Sequence, residues 1–165
     1  MTNTFKLIPI AALLGITAVG SAIAADLPKE GNYDFTACWS GVSTVIAFSK
    51  TYSAMTYEMT GTTRSNPPGG FLDNRSFRCI GLNTSFGAKI TAENVCESFG
   101  MDEDKILTRF STASDGKVTR EVVAGTGKYE GLVSSGIAQQ LGPFPVAKPG
   151  TFQTCNHQTG TYKMK

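Results

Sequence analysis

The stretch KILTRFSTASDGKVTREVVA, residues 105–124, indicates an all-β chain. Residues 105–112 and 118–124 are short runs with apolar and β-branched side chains and no helical periodicity, which is typical of β-strands. Between them lies Ser114-Asp115-Gly116-Lys117, and Asp-Gly suits the positive φ angles of a tight hairpin turn. The stretch therefore predicts two neighbouring antiparallel strands.

Short apolar and β-branched runs broken by Gly, Asn, Asp and Pro recur on both sides of this hairpin, and helical periodicity is hard to find after residue 30. About eight strands without a helix leave two architectures, a closed barrel or a two-sheet sandwich. Short sequential hairpins favour a single antiparallel up-and-down barrel, calycin-like in form, and closure removes exposed strand edges. We predict strands at Phe35 to Phe48, Tyr52 to Thr62, Ser76 to Asn83, Thr91 to Phe99, Lys105 to Thr112, Val118 to Ala124, Leu132 to Gln140 and Thr151 to Met164.

Two segments interrupt the strand pattern. The run RSNPPGG, residues 64–70, contains adjacent prolines that remove two backbone donors, so it predicts a mobile loop. The run GPFPVAKPG, residues 142–150, sets the last strand apart, and we expect it to fold over one end of the domain.

The amino-terminal segment predicts a cleavable signal peptide from Met1 to about Ala24. A charged start with Lys6 precedes the apolar run from Leu7 to Gly20, which is followed by small residues. The run is shorter than the roughly 20 residues that cross a bilayer, and Pro9 interrupts it, so we expect cleavage and no remaining membrane anchor. Residues 25–165 then form one exported domain, periplasmic or extracellular.

Four cysteines follow this segment, and an even number in an exported domain predicts two disulfides. Three connectivities are possible, and the strand assignment favours Cys79 with Cys96 and Cys38 with Cys155. The second pair would join the first strand to the last, which are neighbours only when the sheet closes on itself. No C-x-x-C pair is present and the chain has one histidine, so we expect no zinc or other metal site.

Charge and composition exclude two further classes of protein. The formal net charge is +2 and the charges are mixed in sign along the chain, which argues against a nucleic-acid partner. Apolar residues make up 41% of the chain and charged residues 17%, which supports a packed core rather than disorder. No cofactor motif is present.

The run GTGKYEGL, residues 125–132, is the most distinctive segment. Its glycines invite a phosphate-binding interpretation, but the spacing matches neither G-x-x-x-x-G-K-[ST] nor G-x-G-x-x-G, and a strand follows where both motifs require a helix. The alternative is structural. The glycines allow a tight turn, and Tyr129 packs back on the barrel end as a plug.

This run resembles the connection between two long strands in the allene oxide cyclase and dirigent-like barrels. It also resembles uncharacterised bacterial exported proteins that carry a G-T-G-x-Y-x-G run. In those proteins an acidic turn precedes the run, here Asp102-Glu103-Asp104-Lys105 before Ile106, and the resemblance covers Cys96 to Gln140. It implies an eight-stranded barrel with an internal apolar cavity, which in the named enzymes holds a reactive hydrophobic compound and steers its cyclisation or coupling. No catalytic residue carries over, so the catalytic residues stay unassigned.

Alternation along the strands places candidate ligand-binding residues. Tyr57 lies on the apolar face of the second strand and Glu58 on the opposite face, so Glu58 is either a solvated exterior carboxylate or a lone acid in the cavity. Arg109 either anchors an anionic ligand or covers the exterior with its stem. Together with Tyr129, these three residues are the candidate ligand contacts.

Two further residues each allow two interpretations. His157 is catalytic only if an acid or a nucleophile approaches it, and is otherwise a strand residue near a disulfide. Trp39 forms an aromatic wall against the Cys38 bridge or stacks on a ligand.

The sequence thus predicts an exported β-barrel that binds a small hydrophobic or phenolic molecule in its cavity. One alternative is a cyclase or isomerase of the allene oxide cyclase or dirigent-like type. The other is a structural or interaction module of the cell envelope.

Overall fold

Eight antiparallel strands follow one another through the part of the chain that the computed structural model describes, residues 27–142 and 144–165. All eight predicted strands are confirmed, most with both ends within a few residues of their predicted positions. The predicted signal peptide, residues 1–24, lies outside the described residues. The strands are β1 (Glu30–Ala47), β2 (Tyr52–Ser65), β3 (Ser76–Phe86), β4 (Lys89–Phe99), β5 (Lys105–Thr112), β6 (Val118–Gly125), β7 (Val133–Gln140) and β8 (Thr151–Lys163).

Helical structure in the described residues is limited to one 3₁₀ turn, Gly127–Tyr129. In the same part of the chain we find no helix with the length and apolar character that a membrane span requires.

The predicted hairpin between β5 and β6 forms, but of Asp115 and Gly116 only the glycine adopts a positive φ, +80°. The amide of Gly116 donates to the carbonyl of Ala113. The Asp115 carboxylate accepts from the amide of Lys117 at 2.9 Å, which satisfies a donor that the turn leaves free. The turn therefore sets the register of the hairpin.

The sheet closes through its first and last strands. Its order is β6-β5-β4-β3-β2-β1-β8-β7, and β1 is hydrogen-bonded to both β2 and β8. The predicted up-and-down barrel is confirmed, and the barrel is nearly closed. Its seam lies between β6 and β7, where the described residues form no backbone ladder.

Both predicted disulfides are confirmed. Cys38 lies directly opposite Cys155 across β1 and β8, and Cys79 lies opposite Cys96 across β3 and β4. Strand alternation places the first pair on the outer face and the second inside the barrel, where Cys79 is buried. The outer bridge links the strands whose pairing closes the barrel.

Glycines on the inner face leave room for large aromatic side chains from the next strand. A Cβ at Gly61 of β2 would overlap the ring of Phe77, and one at Gly81 of β3 would overlap the ring of Tyr57. Glycine is generally unfavourable within a strand, but here each one admits a ring that packs in the core.

A plug closes one end of the barrel. Phe71, in the loop between β2 and β3, is 2% exposed and stacks on Tyr162 of β8 with ring centres 4.0 Å apart. Tyr129, also 2% exposed, meets Phe71 edge-on. The plugging role predicted for Tyr129 thus agrees with its position, and we call Phe71, Leu72 and Tyr129 the plug.

The loop that carries Phe71 was expected to be mobile, but it is tied into the barrel end. Asp73 accepts hydrogen bonds from the backbone amides of Ser65 at 2.9 Å and Gly69 at 2.8 Å. Thr63 donates its hydroxyl to the carbonyl of Leu72. The expectation did not account for Phe71 and Leu72, which follow the proline-glycine run and anchor it by their burial.

The segment between β7 and β8 was expected to fold over one end of the domain, but Phe144 and Pro145 lie along the outer face. Phe144 lies beside the outer face, in a groove that Cys38, Thr62 and Cys155 also line. The side chain of Gln153 donates to the carbonyl of Pro145 at 2.8 Å, which holds the segment against β8.

Candidate ligand-binding cavity

A cavity of about 130 Å³ lies inside the barrel, above the plug. Most of its wall is apolar or aromatic, because the inward-facing positions of β1, β2, β3 and β5 carry such side chains. The inner disulfide, Cys79–Cys96, forms part of the wall. Large apolar side chains around it include Phe35, Trp39, Met59, Phe77 and Phe110.

Polar side chains also reach this cavity. Asn156 and Gln158 face inward from β8, and the amide of Gln158 donates to Asn156 Oδ1 at 3.0 Å. Two arginines, Arg75 and Arg120, complete the charged part of the lining. No carboxylate belongs to the described lining, so the cavity has positive charge and no acid inside it.

Arg75 immediately precedes β3 and is 3% exposed. Its Nη1 donates to the Tyr129 hydroxyl oxygen at 3.0 Å, and its Cζ lies 4.6 Å from the centre of the same ring. Asp102 approaches Nη1 at 3.6 Å, and the carbonyl of Ser98 accepts from Nη2 at 3.1 Å. Arg75 therefore joins the plug to the acidic turn and has a carboxylate partner.

Arg120 lies on β6, beside the seam. Its Nη1 donates to Ser134 Oγ of β7 at 2.6 Å and to the Tyr33 hydroxyl at 3.4 Å. The Nε atom is buried and has no hydrogen-bond partner among the described residues. Burial lowers the pKa of Arg120, and Tyr33 acts in the opposite direction. Arg120 thus bridges the strands that the backbone leaves unpaired, and it does so without a carboxylate beside it.

Glu58 and Arg109 lie on the outer face, which agrees with the exterior alternative for each. Glu58 is ion-paired with Arg78 at 2.7 Å, and Arg109 with Glu93 at 2.7 Å. The hydrogen bond and charge of Arg78 lower the pKa of the exposed Glu58 carboxyl. Neither Glu58 nor Arg109 lines the cavity, so neither is positioned to touch a molecule inside it.

Tyr57 and Tyr129 face inward but lie beside the cavity rather than in its wall. The ring of Tyr57 packs edge-on against Phe152, and its hydroxyl oxygen accepts from Asn94 at 3.1 Å. Burial raises the pKa of the Tyr57 hydroxyl, and the hydrogen bond from Asn94 partly offsets this. Tyr129 does not reach the cavity, but its hydroxyl accepts a hydrogen bond from Arg75, which lines the cavity.

The glycine-rich turn packs against the acidic turn that precedes β5. A Cβ at Gly127, whose φ is +53°, would overlap the Asp104 carboxylate, which accepts from the amide of Lys128 at 3.2 Å. Lys128 Nζ lies 2.6 Å from Asp102. Burial, the largest single influence, raises the pKa of Asp102, but Lys128 and Arg75 together outweigh it and the pKa lies below its ordinary value. Carboxylates occupy this turn, so its geometry favours the structural role over phosphate binding.

His157 has an acid beside it. Its Nε2 lies 2.8 Å from Asp34 Oδ1, and both residues sit partly exposed on the outer face, away from the cavity. Trp39 faces inward, opposite to Cys38, and packs in the cluster around Cys79 and Cys96. It lines the cavity instead of forming a wall against the outer bridge, because adjacent strand residues point to opposite faces.

Sequence reasoning missed both cavity arginines. Arg120 alternates in phase with Val118 and Val122, so the period of two could have placed it on the apolar face. Arg75 precedes its strand in an irregular loop, and no local pattern indicates where its side chain goes.

Within the described residues, we find no cluster of three or more histidine, cysteine or acidic side chains that could hold a metal ion. Comparison of the chain with models of protein families, with curated proteins and with solved structures finds no match.

Proposed function

We propose that this protein is an exported binding protein that holds a small hydrophobic or phenolic molecule inside its barrel. The observation that carries the proposal is the internal cavity of about 130 Å³ with its largely aromatic wall. Concave, mostly apolar sites with a few polar groups are the usual form of small-molecule sites. An engineered apolar cavity of about 150 Å³ accepts benzene, so the volume here suits one six-membered ring or a short chain.

The chemistry of the lining supports binding over acid-base catalysis. Its ionisable side chains in the described residues are Arg75 and Arg120, since Cys79 and Cys96 are joined in a disulfide. A guanidinium stays protonated near neutral pH and cannot act as a general base. Because the lining contributed by the described residues contains no carboxylate and no histidine, none of its side chains is suited to take up a proton from a substrate.

The test is a thermal-shift and calorimetric screen of ring-sized compounds, neutral and charged, on protein with both disulfides intact. A ligand at 100 times its Kd stabilises by about 2.7 kcal/mol, which gives a shift of several degrees. Absence of binding by every class at millimolar concentration would refute the proposal.

A matched pair of variants locates the site. Thr108 is buried and lines the cavity, whereas Thr60 is exposed on the outer face of β2. Thr108→Leu fills part of the cavity and should weaken binding at least tenfold, and Thr60→Leu should leave it unchanged. Equal effects of the two substitutions would place the ligand elsewhere.

A further inference from the structure

We propose that the ligand of the cavity is an anion, a ring-sized carboxylate whose carboxyl group pairs with Arg120. This inference rests on the proposed function and names the chemical class of its ligand. Its starting point is the difference between the two cavity arginines, one of which has a carboxylate partner and one of which has none.

Arg75 is electrostatically compensated. Asp102 lies 3.6 Å from Nη1, and the Tyr129 hydroxyl and backbone carbonyls accept from the two Nη atoms. The Nε of Arg75, like that of Arg120, is buried without a hydrogen-bond partner among the described residues, so the two arginines differ in the carboxylate and not in Nε. The outer arginines described above, Arg78 and Arg109, also have glutamate partners. Arg75, Arg78 and Arg109 thus each have a carboxylate partner.

Arg120 departs from that pattern. Its polar contacts in the described residues, Ser134 and Tyr33, are neutral hydroxyls that both contact Nη1. A buried charge without a counter-ion is costly, and burial is also the dominant influence on its pKa, which it lowers. The fold therefore holds a cation at the cavity wall with its charge unbalanced.

The orientation of the guanidinium indicates what balances it. Nη1 donates to the hydroxyls of Tyr33 and Ser134, and the buried Nε has no partner among the described residues. The edge of the guanidinium formed by Nε and Nη2 is therefore free to donate to another group. Two parallel N–H donors on one edge match the two oxygens of a carboxylate. The hydroxyls on the other edge hold the guanidinium plane in position.

The remainder of the cavity limits the ligand to a small apolar body. Phe35, Trp39, Phe77 and Phe110 surround a volume close to that which accepts one benzene ring. In a ligand with a carboxylate on such a ring, the ring would contact the apolar wall and the carboxylate would pair with Arg120. Aromatic monocarboxylates and short-chain carboxylates fit this description.

The experiment is isothermal titration of the disulfide-intact protein with benzoate, the neutral amide benzamide and the cation benzylammonium. We expect benzoate to bind at least tenfold more tightly than benzamide, and benzylammonium to show no binding. Arg120→Met should abolish the preference for benzoate and leave the affinity for benzamide within about threefold. Arg109→Met, which removes an outer-face arginine, should leave all affinities unchanged.

The outcomes separate this inference from the proposed function. Equal affinities for benzoate and benzamide, or an unchanged preference in Arg120→Met, overturn the inference and leave the binding function standing. No binding by any of the three probes, nor by other ring-sized compounds, overturns both. Thermal melts verify that Arg120→Met is folded. If it is not, Arg120→Lys, which keeps the charge and loses the paired donors, should still bind benzoate but at least fivefold more weakly.

Discussion

Replacement of Phe71 by alanine tests whether the loop between β2 and β3 is part of the core. Phe71 is 2% exposed, stacks on Tyr162 at 4.0 Å between ring centres, and also contacts Tyr33 and Tyr129. Truncation of a fully buried phenylalanine costs about 3–5 kcal/mol, because apolar contacts are lost and a cavity remains. We therefore expect Phe71→Ala to lower the free energy of unfolding by about that amount.

The matched control is Phe48→Ala. Phe48 follows β1 in the turn to β2 and is 86% exposed, so the same truncation there should change stability by no more than about 0.5 kcal/mol. Urea denaturation with disulfides intact measures both variants. In thermal melts Phe71→Ala should unfold roughly 10–20 °C below the parent.

A mobile loop gives a different result. If residues 64–72 sampled many conformations, Phe71 would contribute little to the folded state, and the two variants would differ by less than 1 kcal/mol. Such a result would refute the assignment of this loop to the plug.

Three other predictions concern stability. The Cys38–Cys155 bridge joins residues that are 117 positions apart in the sequence. By the chain-entropy model, the double variant Cys38→Ala/Cys155→Ala should therefore have a free energy of unfolding about 5 kcal/mol lower in urea denaturation. A decrease below 1 kcal/mol would show that the first and last strands need no covalent link. Burial is the largest influence on the Asp73 carboxyl and raises its pKa, but hydrogen bonds from backbone amides outweigh it, and the pKa lies below its ordinary value. Asp73 therefore stabilises the protein above the unfolded-state pKa of about 3.9, and stability falls as the pH drops through the lower folded-state pKa. Asp73→Asn should flatten this acid limb in denaturation measured from pH 5 to 2, and an unchanged limb would contradict the assignment. Gly81→Ala should cost about 1–3 kcal/mol because its Cβ overlaps the ring of Tyr57, and the loss should shrink when Tyr57→Val is added; additive losses would rule out this overlap as the cause.

The strands could be read from the sequence because their causes are local. Short apolar and β-branched runs favour strands, and the turn at Asp115-Gly116 needs a positive φ that Gly116 supplies at little cost. The disulfides followed from the same information, since strands in up-and-down order bring Cys79 beside Cys96, and closure brings Cys38 beside Cys155.

The candidate site was accessible only in part. Alternation distinguishes two faces of a strand, but it does not say which face is inside when both carry polar residues, and Glu58 and Arg109 were ambiguous for that reason. Of the plug, Tyr129 was predicted, whereas Phe71 and Leu72 were missed because the prolines and glycines of residues 64–70 indicate only an irregular backbone. The burial of Phe71 depends on Tyr162, which is far away in the sequence.

An all-β class, the strand positions and the cysteine pairing are thus properties of the sequence, because each depends on neighbours along the chain or on one pairing rule. The cavity, the seam of the barrel and the uncompensated charge of Arg120 could be seen only in the folded structure. They depend on the contacts of Arg120 with Ser134 of β7 and with Tyr33 of β1, which lies 87 positions away in the sequence. Periodicity along one strand carries no information about such contacts, which arise from the register, twist and closure of the whole sheet.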